Sequence, residues 1–215
     1  MKNSLIGVYG ASGFGREVMP MVRQNTSESD SRVVFIDDNF PRSVINNHEV
    51  VTYQQFLEET SDEKSISIAI ADSVIRSNIM DRCVDDGIEF FDVLSKNSVI
   101  MDGVNIGQGF VISPFVTITS NVKIGKGFHA NLYSYVAHDC VVGDYVTFAP
   151  SVKCNGNVFI EDYAYIGTGA IIKQGKPGAP LVIGKGAIIG MGAVVTKDVP
   201  AGAIVVGNPA KPLIC

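Results

Sequence analysis

A histidine and a carboxylate stand side by side in the second half of the chain, as His138 and Asp139. An imidazole titrates near neutral pH, so it can take the proton of an amine or a hydroxyl group while that group attacks a carbonyl carbon. A carboxylate on the other ring nitrogen fixes the tautomer and stabilises the imidazolium that forms. The pair predicts general-base catalysis by His138, supported by Asp139, without a covalent intermediate.

The remaining histidines and the cysteines carry weaker signals. His48 falls in a loop of the N-terminal half, where we expect a solvated side chain. His129 precedes an inward position of the repeat described below, so we expect it to face outward. The four cysteines have neither the spacing of a metal site nor that of a disulfide framework, and no metal is expected.

A second candidate site lies near the start of the chain. The apolar residues 5–9 predict a buried strand, which leads into the glycine-rich segment 10–15 with the spacing G-x-x-G-x-G. Such a turn before a helix presents backbone N–H groups to a phosphate, although the glycines alone would also fit a tight packing turn. A second strand over residues 33–36 ends in Asp37, where related folds place an acid on a ribose hydroxyl. A nucleotide-type ligand is therefore favoured over a complete dinucleotide.

Strands and helices alternate through the rest of this N-terminal half. Further strands are predicted over residues 66–71 and 90–93, and helices over 16–23 and 73–87, with Pro20 expected to kink or shorten the first helix. This order implies a small parallel sheet with right-handed crossovers. We predict a Rossmann-like α/β domain over residues 1–93.

The second half repeats with a period of six residues. Fourteen consecutive positions at this spacing are apolar: Leu94, Ile100, Ile106, Ile112, Ile118, Ile124, Ala130, Val136, Val142, Phe148, Cys154, Ile160, Ile166 and Ile172. A small or apolar residue follows four places after nearly every one of them. The frame slips across residues 175–182, where a loop is expected, and resumes at Ile183.

This repeat predicts a triangular prism in which three hexads form one coil of eighteen residues, stacked as in other solenoids. The fold is a left-handed parallel β-helix over residues 94–215. Glycines that follow the apolar positions, such as Gly107 and Gly125, are expected at corners with positive φ. Gly156 lies one coil beyond His138, so its N–H should be placed beside the imidazole, where it could support an oxyanion.

Composition excludes several classes of protein. The chain has 215 residues and a net charge of −5, with no stripe of Lys or Arg, so nucleic acid is not an expected partner. Its apolar runs are too short to span a membrane, and no cleavable signal pattern is found at the start. We expect a cytoplasmic protein.

Both halves together resemble the hexapeptide-repeat nucleotide-aminosugar acetyltransferases. This group includes bacillosamine- and perosamine-type N-acetyltransferases and the related sialic-acid O-acetyltransferases. The resemblance covers nearly the whole chain, and its markers are residues 10–15, 36–38, 136–140, 190–195 and 207–211. It implies an enzyme that transfers acetyl from acetyl-CoA to the amino group of a nucleotide-linked amino sugar.

The resemblance also assigns roles to individual residues. It implies that His138 is the general base, that Asp139 raises its basicity, and that Gly156 is a backbone oxyanion donor. The nucleotide part of the substrate would be held by Ser12, Gly13, Phe14, Asp37, Asp38 and Ala71. The channel for CoA would be lined by Thr147, Gly167, Thr168 and Met191. Family members often have His at the place of Thr147 and Gly at the place of Ala71.

Three alternatives remain at this point. The trimeric β-helix carbonic anhydrases share the fold but bind zinc through three histidines, whereas this helix has only His129 and His138. A non-enzymatic scaffold would not need the His-Asp pair. O-acetylation of a sialic acid or another sugar requires the same base and stays open. Flat prism faces with exposed strand edges further predict a trimer with cyclic symmetry.

Overall fold

The computed structural model describes residues 4–26, 31–39 and 43–213. An N-terminal six-stranded sheet with three helices is followed by three stacks of very short parallel strands. This arrangement confirms the predicted small parallel-sheet domain followed by a left-handed parallel β-helix. Among the helices within these ranges, none is long and apolar enough to cross a membrane.

The N-terminal sheet has more strands than the sequence predicted. Its strands are β1 (Ser4–Tyr9), β2 (Ser31–Ile36), β3 (Val44–Ile45), β4 (His48–Val51), β5 (Glu63–Ile68) and β6 (Glu89–Phe90). Their order is β3-β4-β2-β1-β5-β6, and only β3 and β4 pair antiparallel. The short hairpin of β3 and β4 was missed. The first and last residues of β5 each lie three positions earlier than in the predicted strand 66–71.

Three helices pack against this sheet: α1 (Gly13–Asn25), α2 (Tyr53–Glu58) and α3 (Ser73–Asp85). Pro20 does not shorten α1, because the helix continues for five residues beyond it, and the alternative of a kink stays a prediction. Helix α2 was not predicted, although Thr52 and Gln55 form the capping box that starts it. Since α1 and α3 begin at the carboxyl edge of the sheet, their N-termini face the same side of the domain.

The β-helix consists of three faces, each a stack of parallel strands. The first face contains β7 (Val93–Leu94), β10 (Val111–Ile112), β13 (His129–Ala130), β16 (Thr147–Phe148), β19 (Tyr165–Ile166), β22 (Ile188–Ile189) and β24 (Ile204–Val206), with β25 (Lys211–Pro212) antiparallel to it. The second contains β8 (Val99–Ile100), β11 (Thr117–Ile118), β14 (Tyr135–Val136), β17 (Lys153–Cys154), β20 (Ile171–Ile172) and β23 (Val194–Val195). The third contains β9 (Asn105–Ile106), β12 (Lys123–Ile124), β15 (Val141–Val142), β18 (Val158–Ile160) and β21 (Leu181–Ile183).

The predicted inward positions form one continuous core, in which those from Ile112 to Ile172 are all buried. Leu94 and Ile100 remain 37% exposed because no coil lies beneath the first one. The frame slip is an excursion of five residues, since β18 and β21 pair Ile160 with Ile183 at a spacing of 23 residues instead of 18. Lys176 and Ala179 close this excursion with two backbone hydrogen bonds.

The predicted reason for the corner glycines was wrong. Gly107 and Gly125 do not have positive φ, which instead occurs two residues later, for example at Gly109 and Gly127. A Cβ on Gly107 would lie 2.7 Å from the amide nitrogen of Lys126 in the next coil. These glycines are therefore required by the close approach of stacked coils.

The N-terminal domain packs over the first face of the prism. Val93 and Val111 belong to the same hydrophobic cluster as Val18 and Val22 of α1. Tyr145 lies at a corner of the prism next to the first face. It belongs to a second hydrophobic cluster, which packs on the other side of the N-terminal sheet. The division of the chain between residues 93 and 94 stays a prediction; the strand at this point, β7, pairs within the prism.

Candidate active site

His138 and Asp139 lie at the corner that joins the second and third faces. Nδ1 of His138 is 2.7 Å from a carboxylate oxygen of Asp139, and both side chains are about half exposed. Asp139 has φ of 58°, a left-handed conformation that Asp and Asn tolerate better than most residues. The corner conformation thus turns the carboxylate back toward the ring of the residue before it.

The electrostatics of the pair suit a general base. The hydrogen bond from His138, followed by one from the Asn121 side chain of the preceding coil, lowers the pKa of Asp139 below its usual value. Asp139 is therefore ionised at neutral pH and accepts a hydrogen bond from Nδ1–H. This contact leaves Nε2 with the lone pair that a base requires.

Gly156 lies against the imidazole, as its position one coil further predicts. A Cβ at residue 156 would be 2.6 Å from both Nε2 and Cε1 of His138, so only glycine leaves room for the ring in this position. Within the ranges that the structure describes, the N–H of Gly156 donates to no backbone carbonyl, while its carbonyl accepts from Gly175. A free N–H beside the base is a suitable oxyanion donor.

A separate cleft of about 260 Å³ lies between the N-terminal domain and the first face. Its lining combines residues assigned to the nucleotide with residues assigned to CoA. The lining residues are Gly13, Phe14, Glu17, Ala71, His129, Asn131, Thr147, Phe148, Ala149, Pro150, Tyr165 and Thr168.

Some glycines of the glycine-rich turn are required by close packing, whereas Gly13 faces open space. Gly10 has φ of 107°, and a Cβ on Gly15 would collide with the carbonyl of Gly10. Gly13, by contrast, has no atom within 4 Å of its Cβ position and opens into the cleft. Ser12 is the exposed N-cap of α1 and makes no side-chain capping bond, so the first N–H groups of the helix remain available to an anion.

Asp37 and Asp38 already have partners within the domain. The carboxylate of Asp37 accepts hydrogen bonds from the N–H groups of Ala11 and Asn39, which fixes the glycine-rich turn to the end of β2. The carboxylate of Asp38 accepts from the N–H of Tyr53 and from a tyrosine hydroxyl. Neither residue lines the cleft. Because their carboxylates already accept these hydrogen bonds, any contact with a nucleotide would use the remaining lone pairs of the oxygens.

Thr147 and Ala71 are tied together by hydrogen bonds. The Thr147 hydroxyl donates to the carbonyl of Ala71 at 3.1 Å and accepts from the guanidinium of Arg76 at 2.9 Å. Arg76 is completely buried and also donates to two carbonyls at prism corners, those of Gly127 and Tyr145. No sequence pattern pointed to Arg76, because four of its five partners are backbone carbonyls.

His129 faces out of the prism, as the repeat predicts, but its burial was not anticipated. The N-terminal domain covers the side chain, and only 1% of it is exposed. The Phe14 ring lies 5.3 Å from the imidazole. Burial and the charge of Arg76 hold the pKa of His129 well below its ordinary value. His48 was also misplaced: it begins strand β4 and packs edge-on against Phe35.

The remaining residues assigned to CoA lie at the corner between the first and second faces. Thr168 reaches the cleft, whereas Met191 is 80% exposed. A Cβ on Gly167 would lie 2.6 Å from the amide nitrogen of Met191, so this glycine permits the coils to stack.

Within one chain, the candidate residues form two groups on different sides of the prism. Gly13, Phe14 and Ala71 meet Thr147 over the first face. His138 occupies the corner between the other two faces, which in a triangular prism lies opposite the first face. No group of three potential metal ligands is found in the described part of the chain.

Known proteins match this chain over nearly its whole length. Residues 5–83 match the PglD N-terminal domain. The chain is 51% identical to GDP-perosamine N-acetyltransferase of Escherichia coli O157:H7 over 211 residues, which cover 97% of this chain and 96% of the relative. The chain belongs to the hexapeptide-repeat nucleotide-aminosugar acetyltransferases.

Solved structures of this family superpose over nearly the whole length. WeeI from Acinetobacter baumannii AYE has a TM-score of 0.95 at 58% identity and covers 98% of this chain and 100% of its own. The acetyltransferase domain of PglB from Neisseria gonorrhoeae FA1090, in complex with acetyl coenzyme A, has a TM-score of 0.88 at 28% identity, with the same coverage of both chains.

Proposed function

We propose that this protein transfers the acetyl group of acetyl-CoA to the amino group of a nucleotide-linked amino sugar. The observation that carries the proposal is the His138–Asp139 pair packed on Gly156, in a chain 51% identical to an N-acetyltransferase that acts on GDP-perosamine. The PglB domain with acetyl coenzyme A supports the identity of the donor. GDP-perosamine is accordingly the first acceptor to test.

The proposed reaction is a direct transfer. The amine nitrogen attacks the thioester carbonyl while Nε2 of His138 removes its proton, and the N–H of Gly156 donates to the oxyanion. Asp139 stabilises the imidazolium. Collapse of the tetrahedral intermediate breaks the C–S bond, and the departing thiolate takes the proton from the imidazolium. The products are the N-acetyl sugar and free CoA.

We further propose that the enzyme is a homotrimer whose active sites are shared between chains. The cleft of one chain lies away from its own His138, so a nucleotide sugar bound there would reach the His138 of a neighbouring chain. Ser12, Gly13, Phe14 and Ala71 would hold the nucleotide part, with Asp37 and Asp38 shaping the turn. Gly167, Thr168 and Met191 would border the CoA channel, while Thr147 fixes its wall. The buried thiols of Cys83, Cys140 and Cys154 are free, which suits a reducing cytoplasm.

A panel assay tests the proposed reaction. Acetyl-CoA is supplied with GDP-perosamine, with UDP- and dTDP-linked 4-amino sugars, or with free sialic acid, and products are identified by mass spectrometry. We expect one acetyl addition to a nucleotide amino sugar, stable to mild base because it is an amide. His138→Ala should abolish it, and His48→Ala should not. Acetylation of sialic acid alone, as a base-labile ester, would contradict the proposal and favour O-acetylation.

A further inference from the structure

The guanidinium of Arg76 is a buried cation whose partners are all neutral. Its five N–H groups donate to the carbonyls of Ile70, Ala71, Gly127 and Tyr145 and to the hydroxyl of Thr147. Among the described residues, none of the ion pairs involves Arg76. Carbonyl groups satisfy the donors but do not cancel the charge, which therefore acts on its surroundings at low local dielectric.

This charge lies directly behind the wall of the cleft. Two of the groups that the guanidinium contacts, Thr147 and Ala71, belong to residues that line the cleft, at 2.9 Å and 3.1 Å. His129, which also lines the cleft, responds to the same field, because the charge of Arg76 opposes protonation of its imidazole. The positive potential of Arg76 thus extends to the cleft surface.

Two acidic residues act in the opposite direction and are weaker. Asp72 caps α3 and moderates the charge of Arg76, but its side chain is exposed. Glu17 lines the cleft on the exposed side of α1. Exposed charges are screened by water and salt, whereas a buried charge is screened much less. The buried charge of Arg76 is therefore the least screened of these three charges.

We propose that Arg76 attracts the diphosphate of the nucleotide sugar into this cleft through its buried charge, acting together with the free N–H groups that begin α1. This inference rests on the proposed function, because it assumes that the cleft receives the nucleotide part of the substrate. Arg76 would then have two roles. Its hydrogen bonds join the N-terminal domain to the prism, and its charge attracts the anion.

A ligand series of increasing charge separates the two roles. Dissociation constants are measured by calorimetry for guanosine, GMP and GDP, and for uridine, UMP and UDP, with wild type, Arg76→Gln and Arg76→Lys. We expect Arg76→Gln to weaken binding of the diphosphate by roughly tenfold to a hundredfold, the monophosphate less, and the nucleoside little. Arg76→Lys should recover most of the diphosphate affinity, because it keeps the positive charge although it has fewer N–H groups for the five acceptors. Glu17→Gln, the matched control on the cleft wall, should strengthen diphosphate binding by no more than a few fold.

The outcomes that would overturn the inference are distinct from failure of the proposed function. If Arg76→Gln weakens nucleoside and diphosphate by the same factor, or if Arg76→Lys binds diphosphate no better than Arg76→Gln, Arg76 is only structural. NMR supplies a check that the variant is folded: Arg76→Gln should keep the dispersed amide signals of the wild type, since a raised pKa of His129 would also accompany unfolding. Absence of acetyl transfer by the wild-type enzyme in the panel assay would instead reject the proposed function.

Discussion

Replacing Gly156 by alanine should separate catalysis from stability. The added Cβ would lie 2.6 Å from Nε2 and Cε1 of His138 and 3.0 Å from Cδ2. Ordinary carbon contacts are about 3.5 Å or longer, so the ring must move by about 1 Å. Since the ring is half exposed, it can move without disturbing the core, but its hydrogen bond to Asp139 and its approach to the substrate are lost.

The expected loss in kcat is about a hundredfold, the effect of a misplacement of this size on a catalytic group. Stability should not fall, because Gly156 does not have positive φ and alanine reduces the entropy of the unfolded chain. Initial rates are followed by the loss of thioester absorbance, and stability by urea unfolding.

A double-mutant comparison tests whether the effect acts through the ring. If alanine at 156 only displaces the imidazole, the variant His138→Ala with Gly156→Ala should be no slower than His138→Ala alone. Full kcat in Gly156→Ala would refute the reasoning, since it would show that the position of the imidazole does not limit the rate.

Three further outcomes are expected. His138→Ala should lower kcat by about two orders of magnitude or more with CoA binding retained, and Asp139→Asn, whose amide tolerates the same left-handed backbone, should cost less; steady-state kinetics and calorimetry check both. The lowered pKa of His129 means that the unfolded state binds a proton at a higher pH than the folded state does, so stability should fall below about pH 6.5 by up to about 1.4 kcal/mol per pH unit; urea unfolding from pH 5 to 8 should show a weaker dependence of the unfolding free energy on pH for His129→Leu than for the wild type. Phe148→Ala should destabilise by about 3–5 kcal/mol in the same unfolding assay, because the ring fills the core edge-on to Phe128 at 5.4 Å.

The six-residue period allowed most of the β-helix to be predicted, because each inward position is buried by equivalent residues one coil away. It predicts that Ile112 to Ile172 lie in the core and that Gly156 lies beside His138, and the structure has both. The conformation of the corners was not predictable in the same way. A glycine is needed both for positive φ and for close approach, and the sequence does not say which reason applies at Gly107.

Contacts between the two halves could not be predicted from periodicity. An outward position of the repeat is exposed only if no other domain covers it, and the N-terminal domain buries His129. Arg76 donates to backbone carbonyls up to 69 residues away in the sequence, and such partners leave no pattern of side chains. The short hairpin of β3 and β4 was missed because its strands contain only two and four residues.

The most direct test of the account is complementation between two inactive variants. His138→Ala removes the base, and Ala71→Arg fills the exposed side of the cleft. If each active site takes its cleft from one chain and His138 from its neighbour, trimers assembled at random from equal amounts of the two variants should regain about a quarter of the wild-type activity, because half of the chains supply each intact part. No recovery in verified mixed trimers would show that both parts act within one chain and would contradict the shared site.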